Sequence, residues 1–202
     1  MRIGIIGAGR VGTTLGRRWA EGGHEVVFGS RDPGSDAVRS VVSSVPGTSA
    51  ASTADAADAD AVVLTVPGPA LAEVVDPIAD VLAGRVVVNA ANVMGADVSA
   101  AEVVAGAAPG ARQVRAFNTL GVENFEQPEI DGRRLDLLWA GDDDTVEVAE
   151  RLIADVGLRP VRVGGIDRAD LVDAVFRLWI ALAIQGGRGR RLGFQVVTPG
   201  TA

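Results

Sequence analysis

The chain of 202 residues has no cysteine, no tyrosine and no lysine, and His24 is its one histidine. Each gap excludes chemistry. Without cysteine there is no thiolate nucleophile, no cysteine-based zinc or iron–sulfur site and no disulfide framework. All 19 basic residues are arginine, which removes Schiff-base catalysis and the lysine of a Walker-type phosphate loop. The missing tyrosine removes a phenolic general acid, and a single histidine cannot build a multi-histidine metal site. Such chemistry as the chain performs therefore falls to a bound cofactor, and no catalytic side chain and no metal ligand is assigned.

Charge and hydropathy exclude more. The net charge of −7 argues against a nucleic-acid partner, which calls for a basic face to displace counterions. No apolar run approaches the ~20 residues of a membrane span. Met1-Arg2-Ile3-Gly4 leads straight into a strand-like run with no signal-peptide pattern, so a cytoplasmic protein is expected. At 48% hydrophobic and 22% charged residues, the chain can bury a sizeable core.

Strand-length apolar runs alternate with helix-period segments. Strands are expected at 2–6, 25–28, 61–66, 85–89, 113–117, 135–140 and 160–163. Val62–Val66 and Val86–Val88 are continuous rather than alternating, the mark of parallel strands covered on both faces. Helical spacing joins Val11, Leu15 and Trp19, and again Leu71, Val74, Val75, Ile78 and Leu82. Ser99-Ala-Ala-Glu102 reads as a capping box, and Asp142–Asp144 precede a helix expected over 145–156. The pattern predicts an α/β, Rossmann-type doubly wound, mostly parallel sheet over residues 1–165. Residues 166–202 form a C-terminal apolar helix and tail. That helix, 168–185, is apolar nearly all round, so it packs on the domain and on a second subunit, or is buried wholly within one.

The first strand opens into Gly7-Ala8-Gly9-Arg10-Val11-Gly12 and then an amphipathic helix. Gly7 allows the tight turn, Gly9 the approach of a pyrophosphate, and Gly12 close helix–strand packing. The anion sits at the helix N-terminus. At the tip of the second strand, Phe28-Gly29-Ser30-Arg31 offers a hydroxyl and a guanidinium to a 2′-phosphate, favouring NADP(H) over NAD. Asp32 stands near the distance of a ribose-binding carboxylate, yet just before Pro33 it can equally start a turn. Arg10 is either a second cation near the cofactor or a solvated surface residue. His24 lies at the opposite edge of the sheet from the ligand, in a structural role. Thr65-Val66-Pro67, Asn89-Ala90-Ala91-Asn92 and Asn118-Thr119-Leu120 stand at further strand ends facing the crevice, with amides and hydroxyls suited to orienting a nicotinamide. Hydride transfer between two rings needs little beyond positioning.

The segments GIIGAGRVGTTLGRRWAEGGHEVVFGSRDP, VVLTVP, VVVNAANVMG, VRAFNTLGVENF, AGDDDTVEVAERLIADVGLRPVRVGG and LWIALAIQGGRGRRLGF resemble the coenzyme F420-dependent NADP oxidoreductase family, which includes the reductase domain of STEAP metalloreductases. The resemblance covers nearly the whole chain. It implies an NADP(H)-binding Rossmann domain, often a homodimer through its C-terminal helices, passing hydride between nicotinamide and a deazaflavin. Carried over, Gly7, Gly9, Arg10, Val11 and Gly12 match the phosphate loop, Ser30 and Arg31 the 2′-phosphate contacts, and Thr65 to Pro67 the adenosine and ribose wall. Asn89 to Asn92 and Asn118 to Leu120 match the nicotinamide side. Around NAANVMG and AFNTLG the chain looks more like the metalloreductase domain, which leaves deazaflavin and flavin both open as the small-molecule redox partner. Reduction of a small carbonyl or imine, and a non-catalytic NADPH-binding redox sensor, are the alternatives.

Overall fold

In a computed structural model, which describes residues 1–93, 95 and 98–199, the chain alternates β1 (Arg2–Ile6), α1 (Arg10–Glu21), β2 (Glu25–Ser30), α2 (Asp36–Ser44), β3 (Thr48–Ser52), α3 (Thr53–Ala57) and β4 (Ala61–Leu64). It continues with α4 (Leu71–Val75), α5 (Ala79–Leu82), β5 (Val86–Asn89), α6 (Ala100–Ala107) and β6 (Arg112–Arg115). Then come α7 (Glu123–Glu126), a small hairpin of β7 (Glu129–Ile130) and β8 (Arg133–Arg134), β9 (Asp136–Gly141), α8 (Val146–Asp155), β10 (Arg159–Gly164) and α9 (Ala169–Ile180). The main sheet has eight strands in the order β3-β2-β1-β4-β5-β6-β9-β10. Every neighbouring pair from β3 to β6 is parallel, β6 meets β9 antiparallel, and β9 and β10 are again parallel.

Alternation of side chains across the pleat produces two cores. Ile3, Ile5, Phe28, Val63, Val86 and Val88 face Leu15 and Trp19 of α1, Leu152 and Ile153 of α8, and Trp179 of α9. Ile6, Val27, Val62, Leu64 and Val87 face Leu71, Val75, Leu82 and Val104 on the other side. Every residue of β4 and β5 is buried, as their continuous apolar runs require. Each fully buried valine or leucine contributes roughly 1.5–3 kcal/mol over its exposed state. The doubly wound, mostly parallel architecture follows from these two faces.

The structure differs from the sequence pattern where local chemistry competes with periodicity. The helical stretch over 71–82 is broken by a 3-10 turn at Asp76–Ile78, because Pro77 lacks an N–H and its ring crowds the preceding turn. Strand β6 ends at Arg115, short of the expected Phe117, which instead has φ 61°. A bulky residue in that region carries strain of about 1–3 kcal/mol. Its buried ring is held edge-on by Trp19 at 5.6 Å and Phe125 at 5.8 Å. The edge strand β3, Thr-Ser-Ala-Ala-Ser, has no apolar run to announce it. The capping box at α6 forms, with Glu102 N–H donating to Ser99 Oγ and Ser99 N–H to Glu102 Oε2.

The C-terminal helix α9 packs on the first core through Trp179 and continues as a π turn at Ala181–Gln185. The chain then returns over α7. Trp179 Nε1 and Asn124 Nδ2 both donate to Leu192 O, and Asp136 N–H donates to Phe194 O. Leu171, Leu178 and Ile184 remain 45–50% exposed, so the helix is not buried wholly within one chain. Residues 200–202 of the tail, and Met94 of the NAANVMG motif, lie outside the described residues. Among the described residues no helix is long and apolar enough to cross a membrane.

Candidate cofactor crevice

The chain winds β1-β2-β3 to one side and β4-β5-β6 to the other, so a crevice opens beyond the carboxyl ends of β1 and β4. Gly7 turns the chain there with φ 119°, and a Cβ on it would meet Thr65 at 2.8 Å. Thr65 Oγ1 donates to Gly7 O at 2.7 Å, tying the tip of β4 to the glycine loop. A Cβ on Gly12 would collide with Gly7 O, so α1 comes this close to β1 only with glycine there. Gly9 differs. It is the N-cap of α1 and makes no side-chain cap. Its missing Cβ faces open space. A cavity of about 440 Å³ lies here, walled by Gly7, Ala8, Gly9, Arg10, Val11, Thr65, Val66, Pro67, Ala90 and Asn92. The helix N-terminal N–H groups and the empty Gly9 position together fit a pyrophosphate.

Arg10, which lines this cavity, is paired to a carboxylate. Its Nη1 lies 3.0 Å from Glu123 Oε1, which also accepts from Arg190 Nε at 2.9 Å. Burial pushes the Glu123 carboxyl up, but the Arg190 hydrogen bond, with the charges of Arg190 and Arg10, outweighs it and holds the group below the usual carboxylate range.

A second cavity, of about 290 Å³, shares Gly7, Ala8, Val66 and Pro67 with the first and is closed by Ser30, Arg31 and Glu73. Arg31 is 90% exposed, and its Nη1 lies 3.3 Å from Glu73 Oε1 across the mouth. Asp32 Oδ1 accepts from Gly34 N–H at 3.1 Å, and Ser30 Oγ accepts from Asp32 N–H. Asp32 thus forms a turn that presents Ser30 and Arg31.

A third cavity, of about 570 Å³, begins on the other side of Asn92. Its walls are Val93, Val98, Phe176 and Ile180, with Glu102, Arg115, Asp173 and Arg177. Asn92 is shared with the first cavity and donates from Nδ2 to Asn118 O at 3.3 Å. Asn118, Thr119 and Leu120 are buried behind it, and Asn118 Oδ1 and Thr119 Oγ1 have no hydrogen-bond partner. Asn89 is turned inward, donating to Ala100 O and accepting from Ala91 N–H, so it shapes the strand end from behind. His24 lies at the amino end of β2, away from the crevice, with Nε2 2.8 Å from Asp155 Oδ2.

Arg115 and Asp173 were not foreseen from the sequence. Arg115 is almost wholly buried, and its Nη2 lies 2.7 Å from Asp173 Oδ1. Burial lowers the Arg115 pKa from its ordinary value, against the opposing charge and hydrogen bond of Asp173. The available signal was Arg115 between the apolar Val114 and Ala116-Phe117, a charge in a segment headed for the core, which calls for a buried partner.

Three cavities joined through shared walls, a glycine turn and a free helix N-terminus define a dinucleotide-binding α/β protein. Comparison with known proteins narrows this. The family model for coenzyme F420-dependent NADP oxidoreductases matches residues 2–93. The chain is 31% identical to an F420-dependent NADP reductase of Methanothermobacter thermautotrophicus, over 97% of this chain and 94% of that one. The structure of a candidate F420-dependent NADP-reductase from Arthrobacter sp. FB24 superposes with a TM-score of 0.84 at 25% identity, covering 98% of this chain and all of the other. A Streptomyces aurantiacus imine reductase, at 16% identity and a TM-score of 0.68, covers 89% of this chain and 60% of its own, and shares the fold. The chain belongs to the coenzyme F420-dependent NADP oxidoreductase family and is an NADP-dependent oxidoreductase.

Proposed function

We propose that the protein transfers a hydride between NADP(H), laid along the first two cavities, and a deazaflavin or flavin ring held in the third. The third cavity itself carries this reading. It meets the cofactor crevice at Asn92, and its aliphatic and aromatic side chains suit a flat ring system. Both carboxylates that line it among the described residues are already engaged. Asp173 accepts from Arg115 and Asn118, and Glu102 accepts from Ser99 N–H, which holds it below the usual carboxylate range. Neither carboxylate is left without a partner, which favours a ring acceptor over a carbonyl or imine that would call for a free acid.

When bound, NADPH supplies the hydride. The chain's residues position. Ser30 and Arg31 hold the 2′-phosphate, the N-terminus of α1 takes the pyrophosphate, and Thr65, Val66 and Pro67 back the ribose. Asn92, which lines both the first and the third cavity, faces the nicotinamide, with Asn118, Thr119 and Leu120 buried behind it as its support. The exposed Leu171 and Leu178 on α9, one heptad apart, are read as a homodimer contact.

Anaerobic stopped-flow mixing of protein and NADPH with oxidised deazaflavin, and separately with FAD and FMN, tests the reaction. Rapid protein-dependent NADPH loss with deazaflavin or flavin is expected. Loss only with a cyclic imine or small carbonyl, or NADPH binding with no turnover against any acceptor, would overturn it.

A further inference from the structure

We propose that Asp173 on α9 is a positioning residue for the nicotinamide end of the cofactor, acting through Arg115 and Asn118. The inference rests on the reading that the nicotinamide lies at Asn92 and Asn118.

The Arg115 guanidinium ties three parts of the fold together. Nε donates to Asp173 Oδ1 at 2.8 Å, from the strand end of β6 to the last long helix. Nη1 donates to Asn89 O at 2.9 Å and Ala91 O at 2.6 Å, fixing the backbone that follows β5. Nη2 donates to Asn92 Oδ1 at 3.0 Å. A lysine ammonium has no such planar fork, and an apolar side chain would leave the two carbonyls unpartnered.

Stability alone does not call for this arrangement. Buried ion pairs gain little over well-packed apolar residues of the same volume. The pair does impose direction. An ionised carboxylate only accepts hydrogen bonds, so Asp173 Oδ1 fixes which end of the Asn118 amide turns toward it. Asn118 Nδ2 donates to that oxygen at 3.1 Å, and Oδ1 is left as the buried end with no protein partner. Arg115, which only donates, likewise fixes Asn92 with Oδ1 inward and Nδ2 on Asn118 O. Asn92, which lines the crevice, and Asn118, buried behind it, are thereby set in one orientation by a charge on a helix that lies 55 residues beyond Asn118.

The test compares NADPH with 2′-phospho-ADP-ribose, which lacks the nicotinamide, by calorimetric titration of the full chain. Asp173→Asn should weaken NADPH binding roughly tenfold, the cost of neutralising a charged acceptor of buried donors. Its affinity for 2′-phospho-ADP-ribose should be unchanged, as should both affinities of the control Asp170→Asn, an exposed position on the same helix. Asp173→Glu keeps the charge but displaces it by one methylene. It should show the same selective loss in smaller measure, and it serves if the asparagine variant does not fold. Equal weakening of both ligands, or no weakening of NADPH, would overturn the positioning role while leaving the cofactor crevice standing. Wild-type protein that binds neither ligand would overturn both.

Discussion

In the proposed site Arg31 selects NADP over NAD, and its contribution can be worked from what the side chain does without cofactor. Arg31 is 90% exposed and meets Glu73, itself 73% exposed, at 3.3 Å. An ion pair so open to water is worth about 0.2–1 kcal/mol. A hydrogen bond from a guanidinium to a phosphate is worth about 1.5–3 kcal/mol. A 2′-phosphate that displaces Glu73 therefore gains roughly 0.5–2.8 kcal/mol net from Arg31, about 2- to 100-fold in Kd. Arg31→Ala should cost NADPH that much in a fluorescence titration and leave NADH nearly unchanged. Glu73→Gln should move the other way, strengthening NADPH binding by up to about fivefold, because it removes the competing partner and one negative charge near the phosphate. Both effects should shrink as salt rises, since the charges face solvent. Equal losses for NADPH and NADH in Arg31→Ala, or weaker NADPH binding in Glu73→Gln, would refute the reasoning.

Three further outcomes are expected. Gly12→Ala places a methyl against Gly7 O and 2.7 Å from Thr65 Oγ1, so it should destabilise the fold by about 1–3 kcal/mol and lower Tm by about 2–12 °C in a thermal melt; an unchanged Tm would show that α1 can move off β1. Leu178→Glu puts a charge at a half-exposed apolar position of α9 and should convert a dimer to a monomer in light scattering, whereas a wild-type monomer, or a variant that stays dimeric, would remove the C-terminal helix as the contact. The folded-state pKa of Glu123 is depressed, so the stability it contributes is fully present above its unfolded value of about 4.3 and is lost as pH falls through the lower folded value. Urea titrations of wild type and Glu123→Gln should differ at neutral pH and converge in acid, and a gap that stays constant as the carboxylate is protonated would mean its charge is not what anchors Arg190.

Much of the crevice was legible because the residues that build it are local. Gly7 to Gly12 follow directly on a five-residue strand, and Ser30-Arg31 and Thr65-Val66-Pro67 stand at the ends of strands whose valines announce them. What escaped notice falls into two kinds. Some elements are carried by small polar residues, such as β3, where pairing to β2 at the sheet edge rather than hydrophobic burial makes the strand. Others depend on long-range partners. The reversal of β9 against β6 follows a four-residue helix and a short hairpin, with no full crossover helix to return the chain in parallel. The Arg115–Asp173 pair joins residues 58 apart. The sequence could flag Arg115 as a buried charge that needs an acceptor, but not which of many carboxylates meets it.

That pair also changes the view of the C-terminal segment. Periodicity describes α9 as an apolar helix added after the domain, yet its inner face does two different things. Trp179 joins the first core and donates to Leu192 O, which pins the returning tail over α7. Asp173, less than two turns earlier, reaches the strand ends of β5 and β6 through Arg115. The tail that Trp179 holds also carries Arg190, which shares the Glu123 carboxylate with Arg10 of the glycine loop. One helix therefore bears on both ends of the crevice: directly at Asn118, through Arg115 at Asn92, and through the tail beside the glycine loop. Under the proposed hydride transfer, a chain with no tyrosine, lysine or cysteine has the relative placement of two rings as its route to rate, because oriented reactants lower a barrier without any proton donor. A helix coupled to both ends of the site would supply that fixity.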